Sequence, residues 1–296
     1  MTQKVAFVGL GSMGLPMAKN LVKHQFRVTG FDMRASAMTA LEALGGAGSA
    51  SAKDAANGAD TLVLMVVNAD QAEMVLFEDA ALAALGAKAT VILMATCAPG
   101  RVAEIAARVE ATGRGFVDAP VSGGVAGALA GTLTIMAAAP QAVFDAAKPV
   151  LSAIGTNLFH LGEKPGQGAA MKTINQLLCG VHIAAAAEGL AFAERAGINP
   201  ALALEILSGS AASSWMLKNR GARMVADDGQ VTSAVDIFVK DLGIVLDAGR
   251  TMKMGLPLAA GAHQLYLAAS GMGQGAKDDS QVIAAYRALA PKVGSK

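Results

Sequence analysis

The chain has 296 residues, 53% of them hydrophobic, which is enough to bury a large core and favours two domains over one. A net charge of +1, with acids and bases interspersed, provides no concentrated basic face and argues against nucleic acid as a partner. Two cysteines, Cys97 and Cys179, and four scattered histidines supply neither a disulfide framework nor metal-ligand spacing, so both cysteines are expected to be reduced and buried, with no metal bound.

No window of about 20 residues is free of polar groups, as a spanning helix requires. The most apolar stretch, Leu177 to Phe192, is interrupted by His182 and Glu188 and reads as a buried helix, with no membrane partner. The N-terminus lacks the layout of a signal peptide, and a cytoplasmic location is expected.

In chain order, Lys4 to Val8 reads as a short strand, followed by Gly9-Leu10-Gly11-Ser12-Met13-Gly14 and a helical pattern to about His24. In Gly-x-Gly-x-x-Gly the first glycine allows a tight turn, the second lets backbone approach a pyrophosphate, and the third permits close helix packing. The phosphate charge then meets a helix N-terminus. A second strand, Arg27 to Phe31, ends in Asp32, 18 residues after Gly14, a spacing that suits a ribose-binding carboxylate. Asp32 would accept from the ribose hydroxyls and repel a 2′-phosphate, favouring NAD over NADP. Arg34 is either a phosphate partner or a solvated loop residue.

Further strands are expected at Thr61 to Val67, Thr90 to Ala95 and Gly115 to Asp118, with helices at Ala69 to Ala84 and Gly100 to Ala111. This alternation predicts a doubly wound parallel sheet with ligands beyond the carboxyl ends of its strands. Val67, Asn68, Thr96 and Ser122 fall just there; Thr96 is either a ligand contact or a cap for the next helix. Asp118-Ala119-Pro120-Val121-Ser122-Gly123-Gly124 ends in a glycine turn. Its amides and the Ser122 hydroxyl could cradle a carboxylate, or it is an ordinary loop. A strand from Gly131 to Ala138 and a helix from Gln141 to Ile154 complete a first domain, residues 1–162.

The second domain, residues 163–296, is expected to be all helical, with runs at Ala169 to Ala196, Pro200 to Ser208, Ser213 to Met224, Val235 to Met254 and Leu258 to Ser270. The first run is long and apolar enough to suggest packing against another subunit, hence a homodimer or homotetramer. Near its start, Lys172 stands in apolar surroundings with Asn175 one turn later. Residues three apart share a helix face, and burial or neighbouring charge can bring an amine toward a general-base pKa. The alternative is a lysine whose stem merely covers apolar surface. Lys240 is either a surface partner of Asp241 or a residue that reaches the cofactor; Trp215 and Asn219, one helical turn apart, could line the pocket, with core packing the default expected for Trp215.

Taken together, Gly9 to Gly14, Asp118 to Gly124, Gly168-Ala-Ala-Met-Lys-Thr-Ile-Asn175 and Lys240-Asp241, in this order, resemble the 3-hydroxyacid dehydrogenase family over nearly the whole chain. The resemblance implies an α/β chain: an N-terminal Rossmann-type doubly wound sheet, then an all-α C-terminal domain. It implies NAD-dependent oxidation of a small hydroxy acid, with Lys172 as general acid/base and Ser122, Gly123 and Gly124 on the substrate carboxylate. Asn175 and Gln176 would contact substrate; Thr96 and Lys240 would lie around the nicotinamide end. Gln176 departs from the second asparagine of many relatives. Asn175 to Glu188, Ser214 to Met216 and Val235 to Val245 resemble the L-threonate dehydrogenase branch, implying a four-carbon sugar acid such as L-threonate. Tartronate semialdehyde reductase and 3-hydroxyisobutyrate dehydrogenase activities are alternatives, as is a non-catalytic NAD-binding sensor or assembly protein.

Overall fold

The computed structural model describes residues 2–289, in two compact units that join between Lys172 and Thr173. In the first unit, β1 (Lys4–Val8) enters α1 (Gly14–Lys23), then β2 (Arg27–Phe31), α2 (Ala35–Ala43), β3 (Ala47–Gly48), α3 (Ala52–Ala56) and β4 (Thr61–Leu64). Next come α4 (Ala69–Glu73), α5 (Ala81–Ala84), β5 (Thr90–Leu93), α6 (Pro99–Glu110) and β6 (Gly115–Asp118). A short β7 (Val121–Ser122), α7 (Gly124–Ala130), β8 (Thr134–Ala138), α8 (Gln141–Ile154) and β9 (Asn157–Gly162) follow.

The strands form one sheet in the order β3-β2-β1-β4-β5-β6-β8-β7, with β9 on β8. From β3 to β6 all pairings are parallel, whereas β8 runs antiparallel to β6 and β7. Strands β4 and β5 are buried at every position, as parallel strands covered on both faces require. One core, containing Phe7, Met17, Leu21, Ile92 and Leu151, lies on one side of the sheet. The other holds Leu62, Leu64, Leu93, Val102, Ile105 and Phe116.

The doubly wound sheet is as expected from β1 to β6, but β8 runs antiparallel, β3 and β9 lie outside the expected strands, and two stretches differ locally. The helix expected from Ala69 to Ala84 is broken: a π turn at Met74–Glu78 turns Val75 and Leu76 inward, and Ala80 takes a left-handed φ of 56°. The Arg108 guanidinium lies over the Phe77 ring at 3.4 Å, fixing that turn to α6. The Ser122 turn is not a plain loop but contains β7 and opens α7. Strand β9, absent from the expected elements, alternates exposed and half-buried residues on the edge of the sheet.

The second unit is helical. Most of α9 (Gln167–Arg195) lies in it, with α10 (Pro200–Ser208), α11 (Trp215–Ala226), α12 (Val235–Thr251), α13 (Pro257–Ala269) and α14 (Ile283–Leu289). Its core gathers Ile183, Leu190, Phe238, Leu242, Val245 and Tyr266. By length and composition alone α9 could cross a membrane, but Ile183, Ala184, Ala187 and Leu190 are core residues of this unit. Ion pairs Arg220–Asp279, at 2.6 Å, and Arg223–Asp278, at 2.9 Å, tie α11 to the turn before α14. Trp215, expected in the core, is 58% exposed because it is the first residue of α11. Cys97 is buried, whereas Cys179 is only half-buried; neither forms a disulfide.

Candidate active site

The glycine loop is shaped by backbone approach. Gly9 has a φ of +95°, and a side chain there would overlap the Met65 carbonyl. At Gly14 a Cβ would overlap the Gly9 carbonyl, so only glycine lets α1 start this close to β1. Nothing lies within 4 Å of where a Gly11 Cβ would be, which leaves that stretch of backbone open. Helix α1 begins at this loop with no side-chain cap and no acidic residue in its first turn. Its free amides and dipole therefore suit an anion.

Asp32 follows β2 and accepts from the Leu10 amide at 2.9 Å, which joins it to the glycine loop. Its other oxygen accepts from the Arg34 amide and Nε, at 2.9 and 3.0 Å. Burial opposes its ionisation, but the hydrogen bonds from Arg34 and Leu10 prevail and hold the carboxyl below the usual range. The Arg34 side chain is 62% exposed yet tied to the loop. Its guanidinium is engaged by Asp32 and also donates to the Leu10 carbonyl. These residues fit a dinucleotide: open backbone, an uncapped helix start and a carboxylate at the second strand.

Beyond β4, Asn68 caps α4 by accepting from the Gln71 amide at 2.9 Å, and Gln71 Oε1 accepts from the Val67 amide. The exchange stiffens the loop that carries Val67, which is half exposed. Thr96, half-buried after β5, does not cap the next helix, since Ala98 is the N-cap of α6 and Pro99 its first residue. Ser122 pairs with Thr134 in β7, and Gly123 and Gly124 follow with φ of +130° and +60°. These two left-handed residues turn the chain sharply into α7.

Asp118, the last residue of β6, had no assigned role in the sequence reading. It is 1% exposed, and its Oδ2 accepts from the amides of Gly166 and Ala169 at 2.8 and 2.9 Å. Burial pushes its carboxyl up to about 6, against the opposing effect of the Ala169, Gly166 and Gly168 amides. Only a buried strand-end carboxylate facing a helix start would have signalled it, and sequence spacing does not show that. Lys172 lies in the following turn of α9 and is 8% exposed, so it is not a solvated surface lysine.

In the helical unit, Asn175 Nδ2 donates to Gln176 Oε1 at 2.9 Å, and Gln176 Nε2 donates to Asp241 Oδ2 at 2.5 Å. Lys240 Nζ pairs with Asp241 Oδ1 at 2.7 Å. Asp241 is 2% exposed, so this is no surface pair, and the Lys240 charge is countered at close range. The structure thus joins four polar side chains of α9 and α12. The sequence reading singled out three of them and gave the fourth, Asp241, only as the neighbour of Lys240.

Residues 4–162 match a family described as the NAD binding domain of 6-phosphogluconate dehydrogenase. Residues 166–286 match one described as NAD-binding of NADP-dependent 3-hydroxyisobutyrate dehydrogenase. An L-threonate dehydrogenase of Cupriavidus necator is 42% identical over 96% of each chain. A 2-(hydroxymethyl)glutarate dehydrogenase of Eubacterium barkeri is 36% identical over 95% of this chain and 93% of that one. The crystal structure of a 3-hydroxyisobutyrate dehydrogenase from Salmonella typhimurium superposes with a TM-score of 0.91 at 41% identity, covering 95% of this chain and 99% of that one.

Proposed function

This chain belongs to the 3-hydroxyisobutyrate dehydrogenase-like family of NAD-dependent oxidoreductases acting on CH–OH, and on that premise we propose that it oxidises a four-carbon sugar acid such as L-threonate, with Lys172 as general acid/base. The observation that carries the residue assignment is a lysine only 8% exposed, one turn into the helix that Asp118 anchors. The substrate assignment rests on the similarity to L-threonate dehydrogenase across nearly the full length.

Bound NAD supplies the hydride acceptor, its nicotinamide ring. Gly9 to Gly14 would hold its pyrophosphate and Asp32 its ribose, and strand-end position and the family resemblance add Val67, Asn68, Thr96 and Lys240 to the residues that would contact it. Because Arg34 is taken up by Asp32 and the Leu10 carbonyl, the pair favours NAD over NADP. Ser122, Gly123 and Gly124 hold the substrate carboxylate, while Asn175 and Gln176 orient the hydroxy acid. Neutral Lys172 takes the hydroxyl proton as the hydride leaves carbon, and as ammonium it returns a proton in the reverse direction. Exposed Ile174, Leu178 and Phe192 on α9 support a homo-oligomer.

The test compares NADH formation from L-threonate and 3-hydroxyisobutyrate with NADH consumption by tartronate semialdehyde. Highest catalytic efficiency with L-threonate is expected; a clear preference for either of the others would replace the substrate assignment.

A further inference from the structure

We propose that Asp118 is a positioning residue, which clamps the first turn of α9 to the end of β6 and so holds Lys172 in register with the Ser122–Gly124 turn. The inference rests on the proposed role of Lys172. Asp118 is the last residue of β6, and the chain goes directly from it through Ala119-Pro120-Val121 to Ser122. Its Oδ2 accepts from Gly166 and Ala169, on either side of the first residues of α9. One buried carboxylate therefore joins the strand that leads into the carboxylate cradle to the helix that carries the acid/base lysine.

The packing at Gly168 shows how close this junction is. A Cβ there would overlap the Met136 carbonyl and stand 2.8 Å from the Asp118 carbonyl and 3.0 Å from its carboxyl carbon. Helix α9 thus starts directly against the end of β6 and the middle of β8. A negative charge at a helix N-terminus is favourable, and its hydrogen bonds to amides are directional. They fix the rotation of the first turn about the helix axis, and with it the direction in which Lys172 leaves the helix. A shift of about 1 Å in a reacting group can cost on the order of 100-fold in rate.

The experiment measures kcat, KM for the hydroxy acid and NAD affinity of the full-length protein carrying Asp118→Asn or Asp118→Ala, well below each unfolding midpoint, with Lys172→Ala in parallel. Asparagine keeps an oxygen for Gly166 and Ala169 and removes the charge. It should lower kcat about 10-fold while KM and NAD affinity change less than about 2-fold; alanine should lower kcat about 100-fold. If the alanine variant does not fold, asparagine alone decides. A purely structural role would lower the unfolding midpoint and leave kcat of the folded enzyme unchanged, and that result would overturn the proposal. If Lys172→Ala stays active, the role of Lys172 and that of Asp118 fall together. If Lys172→Ala is inactive and Asp118→Asn has parental kcat, only the role of Asp118 falls.

Discussion

Lys172, Asp118 and Asp32 carry the account at the residue scale. Lys172→Ala should reduce turnover by about 100- to 10,000-fold, the range for loss of a general acid/base, with NAD affinity nearly unchanged by calorimetry. Lys172→Arg should fail as well, since a guanidinium keeps its proton at working pH. The Asp118 carboxyl is raised from 3.8 to about 6, so the folded state binds its proton more tightly than the unfolded state. Its contribution to stability is present below about pH 4 and is lost as pH rises through about 6. Urea unfolding across that range should show the parent declining relative to Asp118→Asn; parallel curves would contradict it. For Asp32 the sign is opposite, since its folded carboxyl is lowered and its contribution is lost on acidification. Replacing it with alanine should narrow the preference for NAD by freeing Arg34, and a parent that used NADP better would show that Arg34 dominates.

Among the elements, the glycine loop offers the sharpest contrast. Gly14→Ala puts a methyl into the Gly9 carbonyl and should push α1 off β1, lowering both stability and NAD affinity. Gly11→Ala meets open space, so the thermal midpoint should hold while NAD affinity falls, because the methyl occupies backbone that must approach the pyrophosphate. Equal effects in the two variants would place the dinucleotide elsewhere. Elements with one strong periodicity were legible in the sequence: β1, β2, β6, α8 and α10 fall where the residues predict them. Those decided by tertiary contacts were not. The break between α4 and α5 goes with the burial of Val75 and Leu76 and the contact of Phe77 with Arg108 from another helix. Strand β9 owes its conformation to pairing with β8, because half of its residues face water. Likewise, the glycine motif and the Lys172 helix could be read in the sequence, whereas the Asp118 clamp and the Gln176–Asp241 bond join residues far apart in the chain.

For the whole molecule, the two units are a sheet that presents the glycine loop and a helical unit that carries Asn175, Gln176 and Lys240. The junction of the units lies inside α9, just after Lys172, so the lysine belongs to the unit whose sheet Asp118 ties to the start of that helix. Homo-oligomer formation through α9 predicts that Phe192→Glu, at a position 75% exposed, shifts the sedimentation profile toward smaller species; an unchanged profile would exclude that face. NAD-dependent oxidation of a hydroxy acid through Lys172 is the proposed activity. It is tested most directly by following NADH formation from a panel of three- and four-carbon hydroxy acids, with the parent protein and Lys172→Ala side by side. Turnover highest with L-threonate in the parent, and lost in the variant, is the predicted result. Tight NAD binding without NADH formation from any hydroxy acid would contradict it and point to a sensor or assembly protein.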